Sequence, residues 1–250
     1  MNPISPRVLL VRGMLAGLLA GVAAFLVAYV LGESKVDAAI AIEEAGAHDH
    51  GGGEAAPVSR ALQATAGLGT GTLLYGIALG GIAALVFCYA VGRIGRFGPR
   101  ATAALVAGGL FVTVGLVPFF KYPANPPAVG DPETTVQRTT LYVLMIALSV
   151  LLALGALILG RRLAPALGNW NASVTASLAF VVAVGIAYAS LPGINEVPGD
   201  FPAALVWQFR LASLAIQAAM WTTFGLTFGF LAERALVPTA APKESVQPAS

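Results

Sequence analysis

The sequence predicts an all-α integral membrane protein built as a six-helix bundle, and three observations predict it. Hydrophobic residues make up 57% of the chain and charged residues only 10%, which leaves little for a soluble domain. Six apolar runs reach the roughly 20 residues needed to cross a bilayer. None alternates with the period of two that a transmembrane barrel strand requires, so each run must close its backbone hydrogen bonds internally, as a helix.

The first run, 13–31, is longer than the apolar part of an ordinary secretory signal. Its far end, Tyr29-Val30-Leu31-Gly32-Glu33, offers no small-residue cleavage site, so a retained helix is expected. An acidic, histidine-containing outer loop is expected over 32–66, then a second span over 67–91. The Gly67-Leu68-Gly69-Thr70-Gly71-Thr72 stretch that opens this span is no phosphate loop, since no strand precedes it and no lysine follows. Cys88, near its inner end, is the only cysteine. It excludes an internal disulfide and a thiolate cage, and reads as a small apolar filler. Further spans are expected at 101–120, 139–160, 171–191 and 211–231, with a flexible cytoplasmic tail over 235–250.

Charge placement orients the bundle. Arg7, Arg12, Arg93, Arg96, Arg100, Arg161, Arg162, Arg234 and Lys243 fall on one side of a six-span arrangement, with Glu233 and Glu244. That side is expected to be cytoplasmic, with both termini on it. The other side carries Lys35, Arg60, Lys121, Arg138 and Arg210 against ten carboxylates. Nine minus two gives +7 inside, and five minus ten gives −5 outside. A negative outer face attracts cations, although basic-inside placement alone would also leave the acids outside.

The outer loops repeat a plan: Pro, Gly and acidic residues, then an arginine, then a returning span. The arginines are Arg60, Arg138 and Arg210. Asn125-Pro126-Pro127-Ala128-Val129-Gly130-Asp131-Pro132 parallels Asn195-Glu196-Val197-Pro198-Gly199-Asp200-Phe201-Pro202, a plan that fits three parallel helical hairpins. Each arginine opens a returning helix, where the macrodipole is positive, so a carboxylate is expected beside it. The expected loop clamps pair Arg138 with Asp131 or Glu133, and Arg210 with Glu196 or Asp200. A gating role for these arginines is the alternative.

Gly13, Gly17 and Gly21 recur every four residues, as do the pairs Gly67 and Gly71, Gly76 and Gly80, and Gly225 and Gly229. Such spacing lets helices approach closely, or supplies hinges for alternating access. No Asp, Glu, Lys or His is expected at mid-depth of any span. Polar candidates there are neutral: Thr70, Thr72, Tyr75, Thr113, Ser149, Ser177, Gln217, Thr222 and Thr223. Nothing in the chain resembles an ATP-binding loop, a nucleophile with a histidine partner or metal-hydrolase spacing, so no enzyme is expected.

The two histidines, His48 and His50, flank Asp49 and precede three glycines. In an extended segment residues i and i+2 project to one side, so both imidazoles could face one ion. Glu43, Glu44 and Glu54 are the nearest oxygens. This nitrogen and oxygen set suits zinc, nickel or cobalt rather than copper(I), and does not by itself select cobalt. The alternative is a solvated loop in which the pair is incidental.

Several stretches together resemble the CbtA family, the large membrane subunit of a predicted cobalt transporter. They are Gly32-Glu33 with Val36-Asp37, Ala39-Ile40-Ala41, Glu43-Glu44, the His48–Gly53 stretch, Pro118 through Pro132, Asn195-Glu196-Val197-Pro198, and Trp207 through Ser213. The resemblance runs from about Arg7 to Arg234. It implies cobalt(II) uptake for cobalamin synthesis in a bacterial inner membrane, with cobalt as transported ion and no permanently bound cofactor. It also implies a small single-span partner, CbtB, with histidines of its own. A non-transporting membrane scaffold that presents a metal-binding loop, and a transporter for another divalent metal such as nickel, remain the competing readings.

Overall fold

The computed structural model describes residues 5–47, 58–127, 129–130 and 132–236. Every regular element among them is helical. Helix α1 (Pro6–Val27) begins where the Ser5 hydroxyl accepts from the Arg7 amide and Pro6 fills the first turn, which meets the open donors of a helix start. It continues through a π-turn, Ala28–Gly32, into α2 (Glu33–Ala47). A short α3 (Arg60–Leu62) likewise passes through a π-turn, Gln63–Gly67, into α4 (Leu68–Ala90), and α5 (Pro99–Leu110) passes through Phe111–Leu116 into α6 (Val117–Lys121). A single 3-10 turn, Pro132–Thr134, precedes α7 (Thr135–Ser190); α8 (Ala203–Leu236) closes the described chain. These elements make five helices long and apolar enough to cross a membrane.

The loop expected from residue 32 needs correction, because 33–47 is helix. Its charges suggested a loop, yet Val36, Ala39, Ile40 and Glu43 follow helical spacing. Ala39 is fully buried against Val129, Phe201 and Val206. Helix α2 therefore lies across the loops that carry Val129 and Phe201 instead of looping away from them.

Glycine spacing sets the tightest packing. Helices α1 and α4 run antiparallel: a Cβ on Gly80 would lie 2.7 Å from the Gly17 Cα, and one on Gly21 would lie 2.7 Å from the Thr72 carbonyl oxygen. Gly225 and Gly229 seat α8 in the same way on Ala107 and Ala103 of α5. Gly71, in contrast, faces open space. Between α1, α4, α5 and α8 lies a core of small residues and aromatic rings, with Phe87 edge-on to Phe228 at 5.0 Å and Phe224 stacked on Phe228 at 5.2 Å.

Helix α7 doubles back. Its 56 residues would span about 84 Å if straight, at ~1.5 Å per residue. Gly168 breaks it with φ 74° and ψ 161°, backbone geometry that favours glycine. A Cβ on Gly160 would meet Ala176 Cβ at 3.3 Å, and Leu148 and Leu152 share a surface with Ala183 and Ala187. Residues so far apart in sequence meet only if the two arms run antiparallel. Only 11% of the most apolar stretch of α7 is buried, against 33–39% for the other long helices, so its attachment is peripheral. It rests on α6 and the Phe111–Leu116 turn through Val117, Met145, Val184 and Ala187.

The three-hairpin expectation holds for α1 with α4. The third pair differs, because α8 packs between α1 and α5 rather than along the second arm of α7. The charged ends segregate as the sequence implied. Arg12 Nη1 donates to the Leu231 carbonyl at 2.5 Å, Arg100 pairs with Glu233, and Arg161 reaches the Arg93 carbonyl, all at the basic end.

Candidate functional site

The acidic end carries the polar architecture. Arg60 binds two carboxylates one helical turn apart on α2: Nη2 contacts Glu33, and Nε donates to Asp37 Oδ1 at 2.9 Å. This fork fixes the start of α3 against α2. The expected capture residues His48, Asp49, His50 and Glu54 lie outside the described residues. Glu43 and Glu44 are exposed on the last turns of α2. Among the described residues no group of three His, Cys, Asp or Glu gathers around one point.

The second and third outer loops are stapled to each other. Lys121, at the end of α6, donates to the carbonyls of Tyr188 and Leu191, each at 2.8 Å, and so caps the negative end of α7. Next to it the Tyr122 hydroxyl donates to the Pro192 carbonyl at 2.9 Å. Burial pushes that hydroxyl's pKa up from its usual 10.0. The chain then runs through Pro123–Pro126, turns with Gly130 at φ 124°, and enters α7.

One arginine reaches across to the next loop. Arg138 Nη1 pairs with Glu196 Oε2 at 3.0 Å, and Glu196 also accepts from Thr134 Oγ1. Arg138 thus joins its own loop to the next one, 58 residues on. Its guanidinium lies against Gly130, where any Cβ would clash with it. Of the partners expected for Arg138, Asp131 lies outside the described residues and Glu133 sits in the 3-10 turn ahead of α7. Arg210 pairs with no carboxylate among the described residues. Its Nη2 donates to Asn125 Oδ1 at 2.9 Å and its Nε to the Ala124 carbonyl at 3.3 Å. Asp200 is exposed in the turn before α8.

Between the stapled loops, at the acidic end, lies a cleft of about 330 Å³. Arg138, Arg210 and Glu196 line it, together with Tyr122, Tyr142, Asn125 and Thr139. Sequence reasoning missed the parts played by Lys121, Tyr122, Asn125 and Thr134. For the first three the signal was the run Lys121-Tyr122-Pro123-Ala124-Asn125 itself, too dense in loop-forming chemistry for a plain turn; Thr134 had none.

Below the cleft, polar side chains meet in pairs. Gln217 of α8 faces the Tyr75 hydroxyl of α4, close to Gly115. Ser149, fully buried in α7, donates to the Thr113 carbonyl inside the third π-turn. A π-turn disrupts the regular carbonyl pairing of a helix; here the hydroxyl of another helix takes up the carbonyl. Thr113 Oγ1 in turn donates to the Gly109 carbonyl at 2.8 Å.

A family model described as "Probable cobalt transporter subunit (CbtA)" matches residues 7–233. No curated protein and no solved structure matches the chain.

Proposed function

We propose that this chain, which belongs to the CbtA family of probable cobalt transporter subunits, carries cobalt(II) inward across a bacterial inner membrane to supply cobalamin synthesis. The observation that carries the reading is the family match over nearly the whole chain. The two arms of α7 count as separate crossings, which makes six and puts both termini on the basic, cytoplasmic side. The acidic outer end concentrates divalent cations. His48 and His50, with Asp49, Glu43, Glu44 and Glu54, capture the metal there, and a small single-span subunit resembling CbtB supplies further imidazoles.

The test is cobalt accumulation by cells lacking other cobalt importers, with this chain expressed alone or with its small partner, and nickel and zinc as competitors. Accumulation above the empty vector is expected, reduced by His48→Ala with His50→Ala. Uptake untouched by that double variant overturns the capture step, and stronger uptake of nickel than cobalt overturns the choice of metal. The scaffold reading keeps one observation in its favour, that the sequence places no Asp, Glu, Lys or His at mid-depth of a span to line an ion path. It predicts no accumulation although both proteins insert.

A further inference from the structure

We propose that the cleft at the acidic end is a binding site for a small organic carboxylate, seated on the guanidinium of Arg210. Two guanidinium groups and one carboxylate line this cavity of about 330 Å³, within the range of small-molecule sites. Glu196 offsets Arg138 through their 3.0 Å pair. Arg210 is offset by no described carboxylate, because its two bonds go to a neutral amide and a neutral carbonyl. A guanidinium has five N–H donors, so three on Arg210 stay available. Thr135, at the positive start of α7, also lines the cavity.

That donor set has one complement. A bare divalent cation meets net positive charge here, whereas a carboxylate takes the planar fork of Arg210 through two parallel hydrogen bonds. The rings of Tyr122 and Tyr142 offer its carbon skeleton an apolar wall. The site stands apart from the cobalt reading, and a chain that binds carboxylate without importing cobalt would sink only that reading.

The experiment is calorimetric titration of the purified full chain in nanodiscs with citrate, and with inorganic phosphate at matched ionic strength. Saturable citrate binding is expected, weakened at least about tenfold in Arg210→Gln, the loss that one charge-assisted contact implies. Arg210 also holds Asn125, so a second variant guards against misfolding. Thr139→Phe leaves the loop staples intact and fills the cleft, and it too should abolish citrate binding. The proposal is overturned by citrate heats no larger than those of salt, by phosphate binding as tightly as citrate, or by full citrate affinity in a folded Thr139→Phe variant.

Discussion

Replacing Gly80 with alanine should force α1 away from α4. The added Cβ would stand 2.7 Å from the Gly17 Cα, while carbon atoms rest at ~3.5–4.0 Å. The seam must open by about 1 Å at that level, and both neighbours are backbone, so no side chain can turn aside. Overpacking of this kind costs ~1–3 kcal/mol, a fall of several degrees in melting temperature for a chain of this size. Gly71→Ala on the same helix is the control. Its Cβ would meet nothing within 4 Å, and alanine favours a helix by up to ~1 kcal/mol over glycine. Thermal unfolding in one detergent, followed by loss of the monodisperse chromatographic peak, compares the two. Equal melting temperatures for Gly80→Ala and Gly71→Ala would refute the close-seam reasoning.

Three other outcomes follow from the polar contacts. Arg138→Glu or Glu196→Arg alone should destabilise by ~1–3 kcal/mol, less than a fully buried pair because Arg138 keeps 31% of its side chain exposed; the double exchange should restore most of it in the same melting assay, and failure of rescue would exclude a structural clamp. Ser149→Ala should cost ~0.6–2 kcal/mol, since the Thr113 carbonyl loses its donor in a region without water; a neutral result would mean that carbonyl finds another partner. Lys121→Met should free the end of α7 and speed proteolysis between Leu191 and Pro198, measured on intact vesicles, because two carbonyl contacts vanish together.

Lipid made the spans readable: a solvent without hydrogen-bonding capacity leaves a long apolar run no choice but helix, so 67–91 falls on α4 and 101–120 falls within α5 to α6. The seam glycines were equally legible, since Gly13, Gly17, Gly21, Gly76 and Gly80 act through local spacing alone. Helix α2 was hidden because five charged residues within 33–44 read as solvated loop, while the weaker Val36, Ala39 and Ile40 signal needed the loops beneath to have meaning. The contact of Arg138 with Glu196 was not legible. Arg138 had nearer carboxylates in sequence, and only the doubling of α7 at Gly168 brings Glu196 beside it. The π-turns are similarly silent, since no residue pattern at Phe111–Leu116 announces that Ser149 will meet it.

The peripheral hairpin of α7 has a mechanical consequence. Buried contacts hold one half of the hairpin, at Met145, Ser149, Val184 and Ala187, while the half near Gly168 is tied to the rest of the protein by the Arg161 bond to the Arg93 carbonyl. With so little protein against it, the lean of that half is open to the surrounding lipid. Acyl chains of different length tilt a helix to match their own thickness at a cost of fractions of a kcal/mol per ångström. Arg138, one turn into the same helix and tied to Glu196, would move with such a tilt. The cleft that Arg138 and Glu196 line is therefore the place where a change in bilayer thickness would be felt first.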